Sequence, residues 1–144
     1  MDIAPDFTEY DTRLGGYAVI TRDDHVLLAL WNEPEPPLWT LPGGGIDLDE
    51  DLEAGVVREV FEESGYDVEL GAVLGVETVV IAPERRFQPS GDRWQKNVRV
   101  VYAATVTGGE LTPELNGSTD EARWIPLAEL PSLHRDSMVR KFVG

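Results

Sequence analysis

Residues 44–66 read GGIDLDEDLEAGVVREVFEESGY, and this stretch decides the fold. It carries eight carboxylates and a single arginine, on a spacing that otherwise predicts a helix. Asp51 suits the N-cap and Gly65 suits the C-terminal end. Acids in the first turn stabilise a helix because they lie at the positive end of its dipole, but acids in the last turn do not. Glu59, Glu62 and Glu63 therefore need another explanation.

These three glutamates share one face of the predicted helix. Carboxylates at positions i, i+3 and i+4 repel one another unless a cation lies among them. A hard divalent cation such as Mg²⁺ prefers an array of carboxylate oxygens and keeps waters that phosphate oxygens can replace. The alternative is a solvated acidic face, which is the usual role of a charge run. A second face is apolar and predicts packing on a core; it consists of Val56, Val57, Val60 and Phe61.

The sequence before the helix predicts strands and a shaped loop. LGGYAVIT and VLLALW are rich in strand-forming residues and are separated by a polar stretch that predicts a tight turn. WNEPEPPLWTLPGGG has four prolines and a glycine run, which excludes a helix or a central strand and predicts a loop leading into the helix.

The sequence after the helix predicts two more strands and a closing helix. YDVELGAVLGVETVVIA and NVRVVYAATV are β-branched and aromatic, with ERRFQPSGDRWQK as a long hairpin loop between them. SLHRDSMVRKFV predicts a final helix capped by Ser132. Strands mixed with two helices predict a compact α/β sandwich built on a mixed sheet.

Composition limits the classes of function. The length of 144 residues predicts one domain, residues 1–144. The absence of cysteine excludes disulfides, thiolate metal sites and cysteine nucleophiles. A net charge of −15 argues against binding a nucleic acid. No apolar run predicts a membrane span and the N-terminus lacks the pattern of a signal peptide, so we expect a cytoplasmic protein that does not bind membranes.

A longer pattern surrounds the three glutamates. Gly44 is followed after five residues by Glu50, and after seven more by R-E-V-F-E-E-S-G-Y at residues 58–66. This pattern resembles the signature of the Nudix hydrolases at every fixed position. A chance match anywhere in the chain has a probability below about one in a million at typical residue frequencies. The resemblance extends over a core of about residues 14–143.

The resemblance implies a fold and a reaction. The fold would be the Nudix α/β/α sandwich around a mixed β-sheet. The reaction would be Mg²⁺-dependent hydrolysis of a pyrophosphate bond in a nucleoside diphosphate linked to another group, with Mn²⁺ as an alternative metal. Such small-molecule substrates include nucleotides, nucleotide sugars such as ADP-ribose, and dinucleoside polyphosphates. Relatives are often dimers, so a homodimer is one expectation.

The resemblance also implies roles for individual residues. Glu59, Glu62 and Glu63 would bind the metal together with the backbone carbonyl of Gly43. A carboxylate must accept the proton of the attacking water.

In the family this base is either the helix glutamate, here Glu59, or an acid on a later loop. Asp120 and Glu121 are the loop acids here, and we favour Glu121. The predicted catalytic residues are therefore Glu59, Glu62, Glu121 and Arg58.

Three further residues have predicted structural roles in the site. Arg58 would pair with Glu50, as the corresponding residues do in the family, and would hold the loop against the helix. Gly44 and Gly65 are the glycines of the signature. Gly55 lies one turn before Glu59 and predicts close approach of a loop or a ligand.

The hairpin loop has its own predicted function. Arg85, Arg86, Arg93 and Trp94 lie in the most basic stretch of an acidic chain. Arginine binds phosphate with two hydrogen bonds and aromatic rings stack on bases, so we expect these four residues to bind the substrate. The alternative is that the loop only balances the charge of the acidic helix.

One other class of function remains open. A Nudix-like domain that has lost catalysis can serve as a nucleotide sensor or regulator. Such domains usually lack some of the signature glutamates, whereas this chain keeps all of them. Isopentenyl diphosphate isomerase shares the fold but relies on a cysteine, which this chain does not contain.

Overall fold

The computed structural model describes residues 4–87, 91–112 and 119–144. Within them lie a large mixed sheet, two α-helices and two short 3-10 helices. The strands are β1 (Asp11–Arg22), β2 (His25–Trp31), β3 (Leu38–Thr40), β4 (Gly43–Gly45), β5 (Tyr66–Ile81), β6 (Gln95–Gly109) and β7 (Thr119–Pro126). The helices are α1 (Leu52–Ser64) and α2 (Ser137–Phe142), and the 3-10 helices are Pro83–Arg85 and Leu127–Ser132.

The sheet is mixed, because one pair of strands at its centre is parallel. Its order is β3-β2-β1-β6-β5, with β4 paired to β1 and β7 paired to β2. The β1–β6 pair is parallel and the other pairs are antiparallel. Asp23 and Asp24 form the predicted turn between β1 and β2, both with positive φ, which aspartate tolerates better than most residues.

A helix covers each face of the sheet, and this produces two cores. Val56 and Val60 of α1 pack in one core, and Met138 and Val139 of α2 pack in the other. Successive residues of β2 alternate between the two, with Leu27 in the first core and its neighbours in the second. A strand buried on both faces is a continuous apolar run, as VLLALW is. The predicted α/β sandwich is confirmed.

Helix α1 begins and ends where the sequence indicates. Asp51 occupies the N-cap position, although its side chain makes no capping hydrogen bond. Gly65 ends the helix in the left-handed region, and its N–H donates to the carbonyl of Phe61. A Cβ on Gly55 would lie 2.6 Å from Cδ1 of Ile46, so this glycine makes room for the loop before the helix. The prediction that Phe61 packs on the core is wrong, because its side chain is 51% exposed.

Two other predictions need correction. The proline-rich loop contains two short strands, β3 at the edge of the sheet and β4 beside β1. The closing helix is shorter than predicted and its cap is Asp136, whose carboxylate accepts the N–H of Met138. Ser132 instead ends the preceding 3-10 helix. No helix in the described ranges is long and apolar enough to cross a membrane.

Candidate active site

A strand made only of glycine lies against the acidic helix. Strand β4 pairs with β1 so closely that a Cβ on Gly43 would lie 2.1 Å from the carbonyl oxygen of Gly16. Gly43 has φ +145°, a conformation that other residues rarely adopt. A Cβ on Gly44 would lie 2.7 Å from Oε2 of Glu59. Glycine is therefore required here for the backbone to meet the carboxylates of α1.

Two of the three predicted metal-binding glutamates reach the same cavity. Glu59 and Glu63 line a cavity of about 360 Å³ together with β4. Glu63 is only 8% exposed, and its Oε2 accepts the N–H of Gly43 at 3.1 Å. Glu62 does not line this cavity and is more exposed, on the flank of the helix.

Two of the three glutamates, Glu59 and Glu62, are held by Arg58. In the described part of the chain, no group of three or more His, Cys, Asp or Glu side chains forms a ready metal site. Nη1 of Arg58 donates to Glu59 at 3.2 Å and to Oε2 of Glu62 at 3.2 Å. The donors are still of the right chemical kind, because carboxylate and backbone oxygens are the ligands that Mg²⁺ prefers.

Arg58 also makes the contact that the signature implies. Its Nη2 donates to Oε1 of Glu50 at 2.5 Å and its Nε donates to Oε2 at 3.0 Å. Nη2 also donates to the carbonyl of Gly45 at 3.3 Å. The hydrogen bonds from Arg58 are the largest cause that lowers the pKa of Glu50, the N–H of Asp47 is the next, and together they bring it to about 2. Arg58 thus fastens both ends of the loop between β4 and α1.

The floor of the cavity contains residues that the sequence did not reveal. Arg13 of β1 and Asn97 of β6 lie opposite each other in the parallel pair. The guanidinium of Arg13 lies beside Gly45, and its Nη1 donates to the hydroxyl of Tyr17 at 3.3 Å. Gln95 is the next residue of β6 on the same face. Only the register of β1 against β6 could have shown that these positions meet.

A buried ion-pair cluster forms another part of the cavity lining. Arg99 donates from Nη1 and Nη2 to the two carboxylate oxygens of Asp136, each at 3.0 Å, and also donates to Glu77. Burial alone would lower the pKa of Arg99, but the charge and hydrogen bonds of Asp136 outweigh it and the pKa is raised. Arg99 therefore stays charged, and both of its terminal nitrogens donate to carboxylates.

Two aromatic side chains form another part of the cavity wall. The rings of Trp31 and Phe87 meet edge to face, with centroids 5.2 Å apart and an angle of 63° between the planes. Both rings line the cavity, as does Ile81. Trp31 is therefore a residue of the cavity wall.

The structure separates the predicted substrate-binding residues of the hairpin loop from the glutamates. Arg86 and Arg93 both donate to the carboxylate of Asp11, at 2.9 and 2.7 Å, and together they lower its pKa, with Arg93 the larger cause. Arg85 is exposed, and Trp94 lies in a separate groove. None of these four loop residues lines the cavity of Glu59. Residues 88–90 of the loop lie outside the described ranges.

The predicted base also lies away from the cavity lining. Glu121 is in β7, opposite Leu30 of β2, and its carboxylate accepts a hydrogen bond from Arg123. The side chain of Asp120 lies outside the described part of the structure. The assignment of Glu121 as base stays a prediction.

Comparison with known proteins places the chain in a family. The NUDIX domain model matches residues 11–142. An ADP-ribose pyrophosphatase from Methanocaldococcus jannaschii is 33% identical over 119 residues, which cover 82% of this chain and 64% of the relative. A human diphosphoinositol polyphosphate phosphohydrolase 3-beta is 38% identical over 86 residues, which cover 60% of this chain and 44% of the relative. The chain thus spans between about half and two thirds of these curated relatives.

A solved structure agrees with this placement. The MutT NUDIX hydrolase from Burkholderia pseudomallei superposes with a TM-score of 0.75 and is 28% identical. The superposition covers 93% of this chain and 99% of that one. Family model, related sequences and fold therefore agree, and the chain belongs to the Nudix hydrolase family.

Proposed function

We propose that the protein is a metal-dependent pyrophosphohydrolase that cleaves a small nucleoside diphosphate derivative. Nudix hydrolases generally use divalent metal ions and act on small nucleotide substrates, and the relatives named above support a pyrophosphohydrolase. The observation that carries the proposal is the meeting of Glu59, Glu63 and strand β4 in one cavity. Carboxylate and backbone oxygens there form a donor set suited to a hard cation and, through it, to a diphosphate.

The proposed cofactor is Mg²⁺, with Mn²⁺ as its substitute. Glu59, Glu62 and Glu63 would hold it with the carbonyl of Gly43. When bound, such an ion neutralises phosphate charge and lowers the pKa of water, which prepares an in-line attack on phosphorus.

The protein's own residues supply the proton acceptor and the scaffold. We assign Glu121 as the general base, with Glu59 as the alternative, because a carboxylate must take the proton of the attacking water. In the first assignment Glu121 exchanges its hydrogen bond from Arg123 for one from the water. Arg58 and Glu50 keep the β4–α1 loop in place so that the glutamates keep their positions.

Arg13 is the residue we assign to the phosphates. It is exposed, lies beside Gly45, and has no carboxylate within ion-pair distance in the described ranges. Arg99, the other cation of the cavity, is held by Asp136 and Glu77. Arginine binds phosphate with two hydrogen bonds, so a guanidinium beside β4 is suited to a diphosphate next to the glutamates.

The test is a turnover panel with Mg²⁺ or Mn²⁺. It contains dNTPs, ADP-ribose, nucleotide sugars, dinucleoside polyphosphates and a diphosphoinositol polyphosphate, with phosphate and monophosphate release as the readout. We expect one class to be hydrolysed and Glu62→Gln to reduce kcat at least about 100-fold, since metal ligation supplies several kcal/mol of charge stabilisation. Glu53→Gln, an exposed acid at the start of the same helix, is the matched control.

Two further variants locate the phosphate contact. Arg13→Ala should raise KM more than Arg85→Ala, which tests the cavity floor against the hairpin loop. Binding of a nucleotide without turnover of any compound would contradict the hydrolase assignment and favour the sensor alternative.

A further inference from the structure

We propose that Trp31, Phe87, Gln95 and Asn97 form a subsite for the nucleobase of the substrate, at the end of the cavity away from β4. This inference rests on the proposed function and deepens it, because it says which residues select the substrate. The subsite comprises an aromatic pair and an amide pair, and both line the same cavity as Glu59 and Glu63.

The aromatic pair supplies a stacking surface. Phe87 is 54% exposed although its ring edge meets Trp31, so a large apolar side chain stands in water at the cavity wall. A planar base that covers these rings removes apolar surface from water and gains stacking. A sugar or an inositol ring has no comparable flat face. The aromatic pair therefore favours substrates with a base at one end.

The amide pair supplies hydrogen bonds beside the rings. Nε2 of Gln95 donates to Oδ1 of Asn97 at 2.6 Å, and this bond fixes the two amides relative to each other. The remaining groups are the amide N–H of Asn97 and the carbonyl of Gln95, for which the described residues provide no partner. A donor next to an acceptor matches the edge of a base, which also presents an acceptor next to a donor.

The order of residues along the sheet fits a nucleoside diphosphate. Ile81 lies opposite Gln95, Arg13 lies opposite Asn97, and Gly15 lies opposite Gly45. Four residues separate the level of Gln95 from the level of Gly15 in β1, a distance of about 13 Å at the usual rise of a strand. If the base lies at the amide pair, the sugar and the two phosphates of the substrate extend past Arg13 to the glutamates.

The charges of the cavity disfavour a substrate with many phosphates. Arg13 and Arg99 are the cations among its described lining residues, and Arg99 is already paired. Its acids include Glu33 as well as Glu59 and Glu63. A diphosphoinositol polyphosphate carries phosphate on every side and would meet too few cations here. A ligand with an uncharged base at one end avoids this repulsion.

The experiment measures binding without hydrolysis. Isothermal titration with AMP, GMP, CMP, UMP and ribose 5-phosphate compares ligands that share a phosphate and differ in the base. We expect at least one nucleotide to bind about tenfold more tightly than ribose 5-phosphate, in line with the effect of one base stacked on aromatic side chains. Phe87→Leu should remove most of this difference. Phe7→Leu changes an exposed phenylalanine that is not part of the cavity lining, and it should leave the difference unchanged.

A second variant tests the amide pair. Asn97→Asp replaces a donor by an acceptor, so we expect it to change which base binds best. Equal binding of all nucleotides and ribose 5-phosphate would overturn the proposal, and so would wild-type binding by Phe87→Leu. If base-dependent binding is present but turnover is absent, the subsite stands and the hydrolase assignment fails. If turnover is present without dependence on the base, the hydrolase stands and the subsite fails.

Discussion

Two arginines of this protein each hold several acids, and their surroundings differ. Arg58 lies on helix α1 with a side chain that is 32% exposed, among acids that lie within a few turns of it in sequence. Arg99 lies in the lining of the cavity with a side chain that is 10% exposed, and its acids come from β5 and from the cap of α2. The partly exposed cluster can rearrange towards water at a smaller cost than a buried charge that loses its partner. We therefore expect Arg99 to govern stability and Arg58 to govern the geometry of the site.

The largest effect on stability is expected from Arg99→Met. The change leaves the carboxylates of Asp136 and Glu77 buried without their cation, which typically costs about 3–5 kcal/mol. Urea unfolding would measure this as a loss in the free energy of unfolding. A second change, Glu77→Gln in the same protein, should recover part of the loss because it removes one unpaired charge. Equal stability of Arg99→Met and wild type would mean that the buried cluster contributes nothing net.

The second effect concerns Arg58→Met. Its ion pairs are partly open to water and contribute about 1 kcal/mol to stability, so the free energy of unfolding should change less than in Arg99→Met. Metal affinity should fall about 10- to 100-fold, because the side chain orients Glu59 and Glu62, and residues behind metal ligands have effects of this size. Calorimetric titration with Mn²⁺ measures this loss of metal affinity. Arg140→Met removes an exposed arginine elsewhere and should leave affinity unchanged; the same affinity in both variants would contradict the role of Arg58.

The smallest expected effect is the pH dependence contributed by Glu50. Its pKa is lowered from 4.5 to about 2 in the folded protein, mainly by Arg58. A lowered carboxylate pKa stabilises the fold above the unfolded value and loses this contribution as the pH falls, here between about 4.5 and 2. The free energy of unfolding of wild type should therefore fall more steeply with acid than that of Glu50→Gln. Parallel curves for the two proteins would show that the pair is unimportant for folding.

The same contrast explains what could be predicted from the sequence. The partners of Arg58 lie on one helix and the loop before it, so helical spacing and the resemblance were enough to place Glu50 and the glutamates. The partners of Arg99 are brought together by strand pairing, with Glu77 opposite Arg99 across the β5–β6 pair. Register between distant strands has no local signal in one sequence. For this reason Arg13, Gln95 and Asn97 were also missed.

Three predictions for individual residues and segments differ from the structure, each for its own reason. Ser132 is suited to a cap by residue type, but Asp136 lies two residues before the apolar pair Met138 and Val139 that α2 buries, so burial of this pair favours the later cap. Phe61 fits the apolar face by angle but is 51% exposed in the structure. The hairpin loop was interpreted from its charge, and the acid that pairs with Arg86 and Arg93, Asp11, is too distant in sequence to be recognised as their partner.

Asp11 affects which substitutions in the hairpin loop the protein can accept. The carboxylate of Asp11 at the start of β1 holds both Arg86 and Arg93, so the hairpin loop is fixed to the sheet at two points. Phe87 follows directly after Arg86 in the sequence. Phe87 lines the cavity, so a substitution there changes the cavity wall while Asp11 still holds the two arginines and helix α1 still carries the glutamates. Phe87 is thus a position at which a library of variants can be screened for altered ligand preference.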